Sequence, residues 1–146
     1  MKRLLALLCC LSATPLGAQD IVSYTTDQSY ADAAFGLENA ILNEGLVIDS
    51  VSHVGDMLAR TRGDVGSEVE LFAKADAYSF CSATVSREVM EINPMNIAFC
   101  PYNIFVAEMA GGDGEVIIGY RTFPEGEMQK VQELLDGLVR AAIGLE

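Results

Sequence analysis

Two apolar runs with a glycine cluster between them constrain this chain most. Tyr102 to Met109 and Glu115 to Thr122 are rich in β-branched and aromatic residues, and Ala110-Gly111-Gly112-Asp113-Gly114 joins them. Glycine adopts the positive φ angles of a hairpin turn without steric cost, so this segment predicts two adjacent antiparallel strands. A hairpin alone is marginal in water, and its apolar side needs further strands or packed helices.

The rest of the chain supplies both. Ile21 to Thr25 reads as a short strand, and Ser29 then caps a helix with Asp32 three residues on. Tyr30, Ala34, Leu37 and Ile41 share one helical face, and Gly45 is placed to end the helix in a left-handed turn. Leu46 to Ser52 predicts a strand, His53 to Thr61 a short helix despite Gly55, and Ala77 to Ser82 another strand. Thr84 to Ile92 puts Val85, Val89 and Ile92 on one helical face, and Asn93-Pro94 stops it, because a residue before proline avoids the helical region. After Pro124 a last helix is expected, with Met128, Val131, Leu135, Leu138 and Ala142 as its apolar stripe, Leu134 beside it and Gln132 exposed. Glu125, Glu127 and Glu133 fall towards its N-terminal half, where the helix dipole favours negative charge. The pattern predicts an α+β fold: an antiparallel sheet with two main helices packed on one face, plus short helices.

The first residues predict a compartment. Lys2 and Arg3 precede an uncharged stretch from Leu4 to Leu11, and Pro15-Leu16-Gly17-Ala18 supplies a break and small residues. That is the pattern of a secretory signal peptide over residues 1–18, too short to span a bilayer core of about 30 Å. Cleavage after Ala18 would release a soluble periplasmic protein of one α+β domain, residues 19–146, with no integral membrane segment. The full chain carries a net charge of −12, and loss of Lys2 and Arg3 makes the remainder more acidic still. Its basic residues are scattered singly apart from Arg60 and Arg62, so no cationic patch for nucleic acid is expected.

Phe80-Cys81, the following short helix, Asn93-Pro94, Phe99-Cys100-Pro101, the strand Ile104-Phe105-Val106-Ala107-Glu108 and Gly112-Asp113-Gly114 together resemble the domain-of-unknown-function family 302. The resemblance covers nearly all of the chain after the leader. It implies a TATA-box-binding-protein-like architecture, a curved antiparallel sheet with two main helices, and no defined activity. Two positions depart from the commoner pattern: Ser82-Ala83 follows the first cysteine, and the second cysteine precedes Pro101.

Cys81 and Cys100 are the cysteines that remain after cleavage. An even number in an exported domain favours a disulfide, and a helix returning between the two could bring them into bonding range. The competing reading is a soft-metal or haem site. His53, the sole histidine, and Met57 lie four residues apart, and with Cys81 and Cys100 they form a ligand set suited to copper. Cys100-Pro101-Tyr102 resembles a glutaredoxin turn, but it leads into a strand rather than a helix whose N-terminus would activate the thiol. No Gly-x-Ser-x-Gly is present, Gly111 to Gly114 lacks the lysine of a phosphate loop, and Arg62-Gly63-Asp64 reads as a chance tripeptide. No catalytic residue is assigned. The reading that follows is a non-enzymatic module binding a small ligand, a metal or an envelope protein. The alternative is a metal- or haem-dependent redox or electron-transfer accessory.

Overall fold

The computed structural model describes residues 20–145. The leader reading, residues 1–18, lies outside the described residues. In chain order the elements are β1 (Ile21–Thr26), α1 (Tyr30–Asn43), β2 (Val47–Ser52), α2 (Val54–Thr61), β3 (Phe72–Cys81), α3 (Ala83–Ile92), a 3-10 helix (Pro94–Phe99), β4 (Tyr102–Met109), β5 (Val116–Arg121) and α4 (Gln129–Ala142). The five strands form one open antiparallel sheet in the order β1-β5-β4-β3-β2. The fold is α+β.

Local chemistry sets the helix ends. The Ser29 hydroxyl oxygen accepts from the Asp32 N–H at 3.2 Å, satisfying one of the donors the first turn leaves unpaired. At the other end of α1, Gly45 has φ 76°, which lets the Gly45 and Leu46 N–H groups reach the Leu42 and Ile41 carbonyls. This is the Schellman arrangement, and it turns the chain directly into β2.

Strand alternation then sorts the sheet into two faces. Tyr78, Phe80, Tyr102, Ile104, Val106, Val116, Ile118 and Tyr120 point to one side and are buried with Ala33, Leu37 and Ile41 of α1, Val89 of α3, and Val131, Leu135, Leu138 and Val139 of α4. α1 and α4 cross closely: a Cβ at Gly36 would run into the Ala142 carbonyl oxygen. On the sheet's far edge, β2 stops at the Ser52–Ala77 pair, leaving the first half of β3 without a strand neighbour on that side. α2 takes that place, and its buried Gly55 sits so near β3 that a Cβ there would lie 2.7 Å from the Ala75 nitrogen. Covering the edge in this way blocks pairing with another chain.

The elements depart from the sequence reading in several places, among them Ile92, expected on the apolar face of α3 but 64% exposed. β3 begins at Phe72 rather than Ala77, because pairing with β4 carries it through Lys74 and Asp76, which break the apolar pattern. α4 begins at Gln129, after a turn through Gly126 at φ 93°, rather than just after Pro124. Gln132 is half-buried instead of exposed, since its side-chain oxygen accepts from the Phe123 N–H at 3.0 Å. Among the described residues no helix is long and apolar enough to cross a membrane.

Candidate functional site

With the helices on one side, the other face of the sheet is left to solvent across β1, β5, β4 and the middle of β3. The register assigns its side chains to rows running across the strands. Ala77, Phe105, Gly119 and Ser23 form one row, and Ala75, Ala107, Ile117 and Thr25 the next. Gly119 has a specific purpose there, because a Cβ would collide with the Val22 carbonyl oxygen and lie 3.0 Å from the tip of the Phe105 ring. The glycine therefore lets the phenyl group lie across the strand beside it. Around this floor is a hollow of about 420 Å³ whose walls include Ile21, Val54, Phe72, Phe105, Met109 and Ile117. Ile21 is 62% exposed and Met109 39%, so large apolar side chains face water here. Ligand sites combine a mainly apolar lining with a few polar groups, and this face has that composition.

Polar groups stand at two borders. On the β3 flank, His53 closes β2 and starts α2, and its Nδ1 meets Asp76 Oδ1 at 2.8 Å. The hydrogen bond to Asp76 and then its charge raise the His53 pKa above the ordinary value, while the ring stays open to solvent. Asp76 also lies beside the Tyr30 hydroxyl, whose pKa is raised first by burial and then by that carboxylate. Lys74, one pair away on the helix side of β3, holds its ammonium 5.4 Å from the centre of the Tyr30 ring. On the other border Ser50, Ser79 and Asn103 form a row, and Arg121 lies one residue past the last β4–β5 pair, Ile104–Tyr120. The Ser79 hydroxyl donates to Asn103 Oδ1 at 2.6 Å, and Asn103 Nδ2 donates to the Pro101 carbonyl at 3.0 Å. A carbonyl can only accept, so this pairing fixes which way the amide points.

The four residues named as soft-metal ligands do not converge. His53 and Met57 occupy the first turn of α2, where the Met57 N–H donates to the His53 carbonyl at 3.1 Å. Cys81 lies five residues beyond Asp76 on β3, about 16 Å along an extended strand. Two ligands thus sit at one end of β3 and two at the other. No group of three or more His, Cys, Asp or Glu able to hold a metal occurs among the described residues. Cys81 and Cys100 instead face each other as a disulfide with their Cα atoms 6.5 Å apart, tying the end of β3 to the segment entering β4.

A second polar centre lies on the helix side. Asp136 of α4 accepts from the Tyr24 hydroxyl at 2.6 Å and from the Tyr120 hydroxyl at 2.8 Å, both through Oδ1. Hydrogen bonding to that carboxylate is the main cause of the raised Tyr24 pKa, whereas for buried Tyr120 desolvation comes first and Asp136 second. Sequence reasoning missed this cluster, as it missed the Ser79 and Asn103 row and Arg121 near it. Their members are far apart in sequence, and only the strand register and the docking of α4 bring them together.

The fold is similar to that in the crystal structure of the uncharacterized conserved protein DUF302 from Bacillus stearothermophilus, with a TM-score of 0.56 and 16% identity over 84% of this chain and 86% of that one. No curated protein matches the chain. The model of the family described as Domain of unknown function DUF302 matches residues 22–140, spanning every strand but the first residue of β1 and nearly all of α4. The chain belongs to the DUF302 family.

Proposed function

We propose that this protein is a non-enzymatic binding module, carried to the periplasm by residues 1–18, that holds a small ligand with an apolar body on the open face of its sheet. The observation that carries this reading is the hollow of about 420 Å³ lined by Ile21, Val54, Phe105, Met109 and Ile117, with Asp76 as its one charged residue. Leaving such side chains in water costs about 25 cal/mol for each Å² of apolar surface, which a ligand of matching shape recovers on binding. The face offers contact area and a few hydrogen-bonding groups. The residue best suited to proton transfer, His53, is bonded to Asp76 at its border. A disulfide between Cys81 and Cys100 would brace the end of β3 that carries the polar row.

Binding of an uncharged solvatochromic dye such as Nile red tests the reading. The protein should bring out the dye's blue-shifted emission, and Ile117→Asp should abolish it with the far-ultraviolet circular dichroism unchanged, because Ile117 projects from the open face. Emission that Ile117→Asp leaves intact, or that never appears, would overturn the proposal. The compartment is tested separately by the intact mass of the secreted protein, expected to begin at Gln19. An uncleaved Met1 would refute it.

A further inference from the structure

We infer that the ligand of the open face is an organic acid, with its apolar body over Phe105 and its carboxylate held by Arg121; this rests on the reading of that face as the binding site. Arg121 ends β5 directly opposite Ile21, a wall of the hollow, and it is exposed. It also lies one residue past the last β4–β5 pair, Ile104–Tyr120, towards Asn103. It is one of two basic residues in the five strands, and the other, Lys74, is turned to the Tyr30 ring on the helix side. No side-chain hydrogen bond or ion pair joins the Arg121 guanidinium to another described residue, whereas Arg87 and Lys130 are paired with Glu91 and Glu88. An uncommitted guanidinium beside an apolar floor, in a chain of net charge −12, is a local inversion of the protein's own sign. Its planar fork of N–H donors matches a carboxylate with two parallel hydrogen bonds.

The surroundings add direction. Asn103 Nδ2 spends one hydrogen on the Pro101 carbonyl and keeps a second for a ligand oxygen, with the amide held in that orientation by Ser79. Arg121 lies two residues along β5 from Gly119, about 7 Å, so the acid group and the ring contacts belong to one compact molecule. The hollow's own lining carries one charged residue, Asp76 on the β3 side, whose carboxylate would repel the acid there. The ligand is thereby polarised, with its acid at the Arg121 end and its apolar body towards Ile117 and Met109.

The test is displacement of bound Nile red by 1-naphthoate and by 1-naphthylmethanol, which share an aromatic body and differ in charge. Wild-type protein should respond to the acid at a concentration on the order of tenfold lower than the alcohol, the size of one charge-assisted contact. Arg121→Gln should raise the concentration of acid required to that of the alcohol while leaving the alcohol unchanged, and Arg121→Lys should keep part of the preference. Equal displacement by the two compounds in wild type, no displacement by either, or a preference that survives Arg121→Gln would overturn the inference and leave the apolar site standing. Failure of Nile red itself to bind would remove both.

Discussion

Asp136 offers the sharpest test of how the helix layer is locked to the sheet. One carboxylate oxygen accepts from Tyr24 on β1 and from Tyr120 on β5, at 2.6 and 2.8 Å. Tyr120 is 2% exposed, so after Asp136→Ala water could not readily replace its lost acceptor, whereas Tyr24 is only half-buried and could turn to solvent. Hydrogen bonds to charged groups contribute about 1.5–3 kcal/mol, and an unsatisfied buried hydroxyl costs about 1–3 kcal/mol. The buried tyrosine should therefore dominate, with a total loss of about 2–4 kcal/mol. With a urea slope of about 2 kcal/mol/M, the middle of the range for small domains, the midpoint should fall by about 1–2 M. The second variant gives the argument its force. Adding Tyr120→Phe to Asp136→Ala removes the orphaned hydroxyl, so the double variant should be more stable than Asp136→Ala alone. Losses in the two single variants that simply add in the double variant would refute the coupling and reduce the pair to a coincidence of packing.

Three further outcomes follow from the same structure. Leu135, fully buried in the stripe of α4, should cost about 2–5 kcal/mol when changed to alanine, while exposed Glu133→Ala should change the urea midpoint little. His53 is the sole histidine, so its imidazole proton resonances can be followed alone, and they should titrate above the ordinary value of 6.5 and return towards it in Asp76→Asn. Because folding raises this pKa, the pair's stabilisation is complete below about pH 6.5, fades as pH rises through the folded value, and is absent from Asp76→Asn. Protein isolated without reductant should show no free thiol from Cys81 or Cys100, and reduction should lower its urea midpoint by an amount corresponding to about 3 kcal/mol without releasing a metal. Two reactive thiols in the isolated protein would remove the bridge from the account.

What the sequence made legible was local. The hairpin glycines, the Ser29 cap, Gly45 and the Asn93-Pro94 stop each act within a few residues, and β4, β5, α1 and α3 follow from them nearly residue for residue. The first half of β3 escaped because Lys74 and Asp76 look like loop residues until β4 pairs with them and Tyr30 covers their helix side. His53 drew notice for its chemistry, yet its partner lies 23 residues away on another strand and could be named only from the fold. Arg121 was invisible for a similar reason. In sequence it is one scattered basic residue, and its meaning comes from a register that places it opposite Ile21 and one residue past the Ile104–Tyr120 pair.

The order β1-β5-β4-β3-β2 also sets a timetable for folding. β2, β3 and β4 meet through short or moderate loops, but β1 pairs with β5, and the Thr122 N–H that extends this ladder donates to the Asp20 carbonyl across 102 residues of chain. Closing so long a loop is slow, since its entropy is lost before the new contacts stabilise anything. The strand made first is thus among the last to find its place, and the sheet cannot be completed until nearly the whole chain has been synthesised. A chain cut short before β5 would therefore leave β1 without its strand partner and the outer edge of β4 open to pairing with another chain.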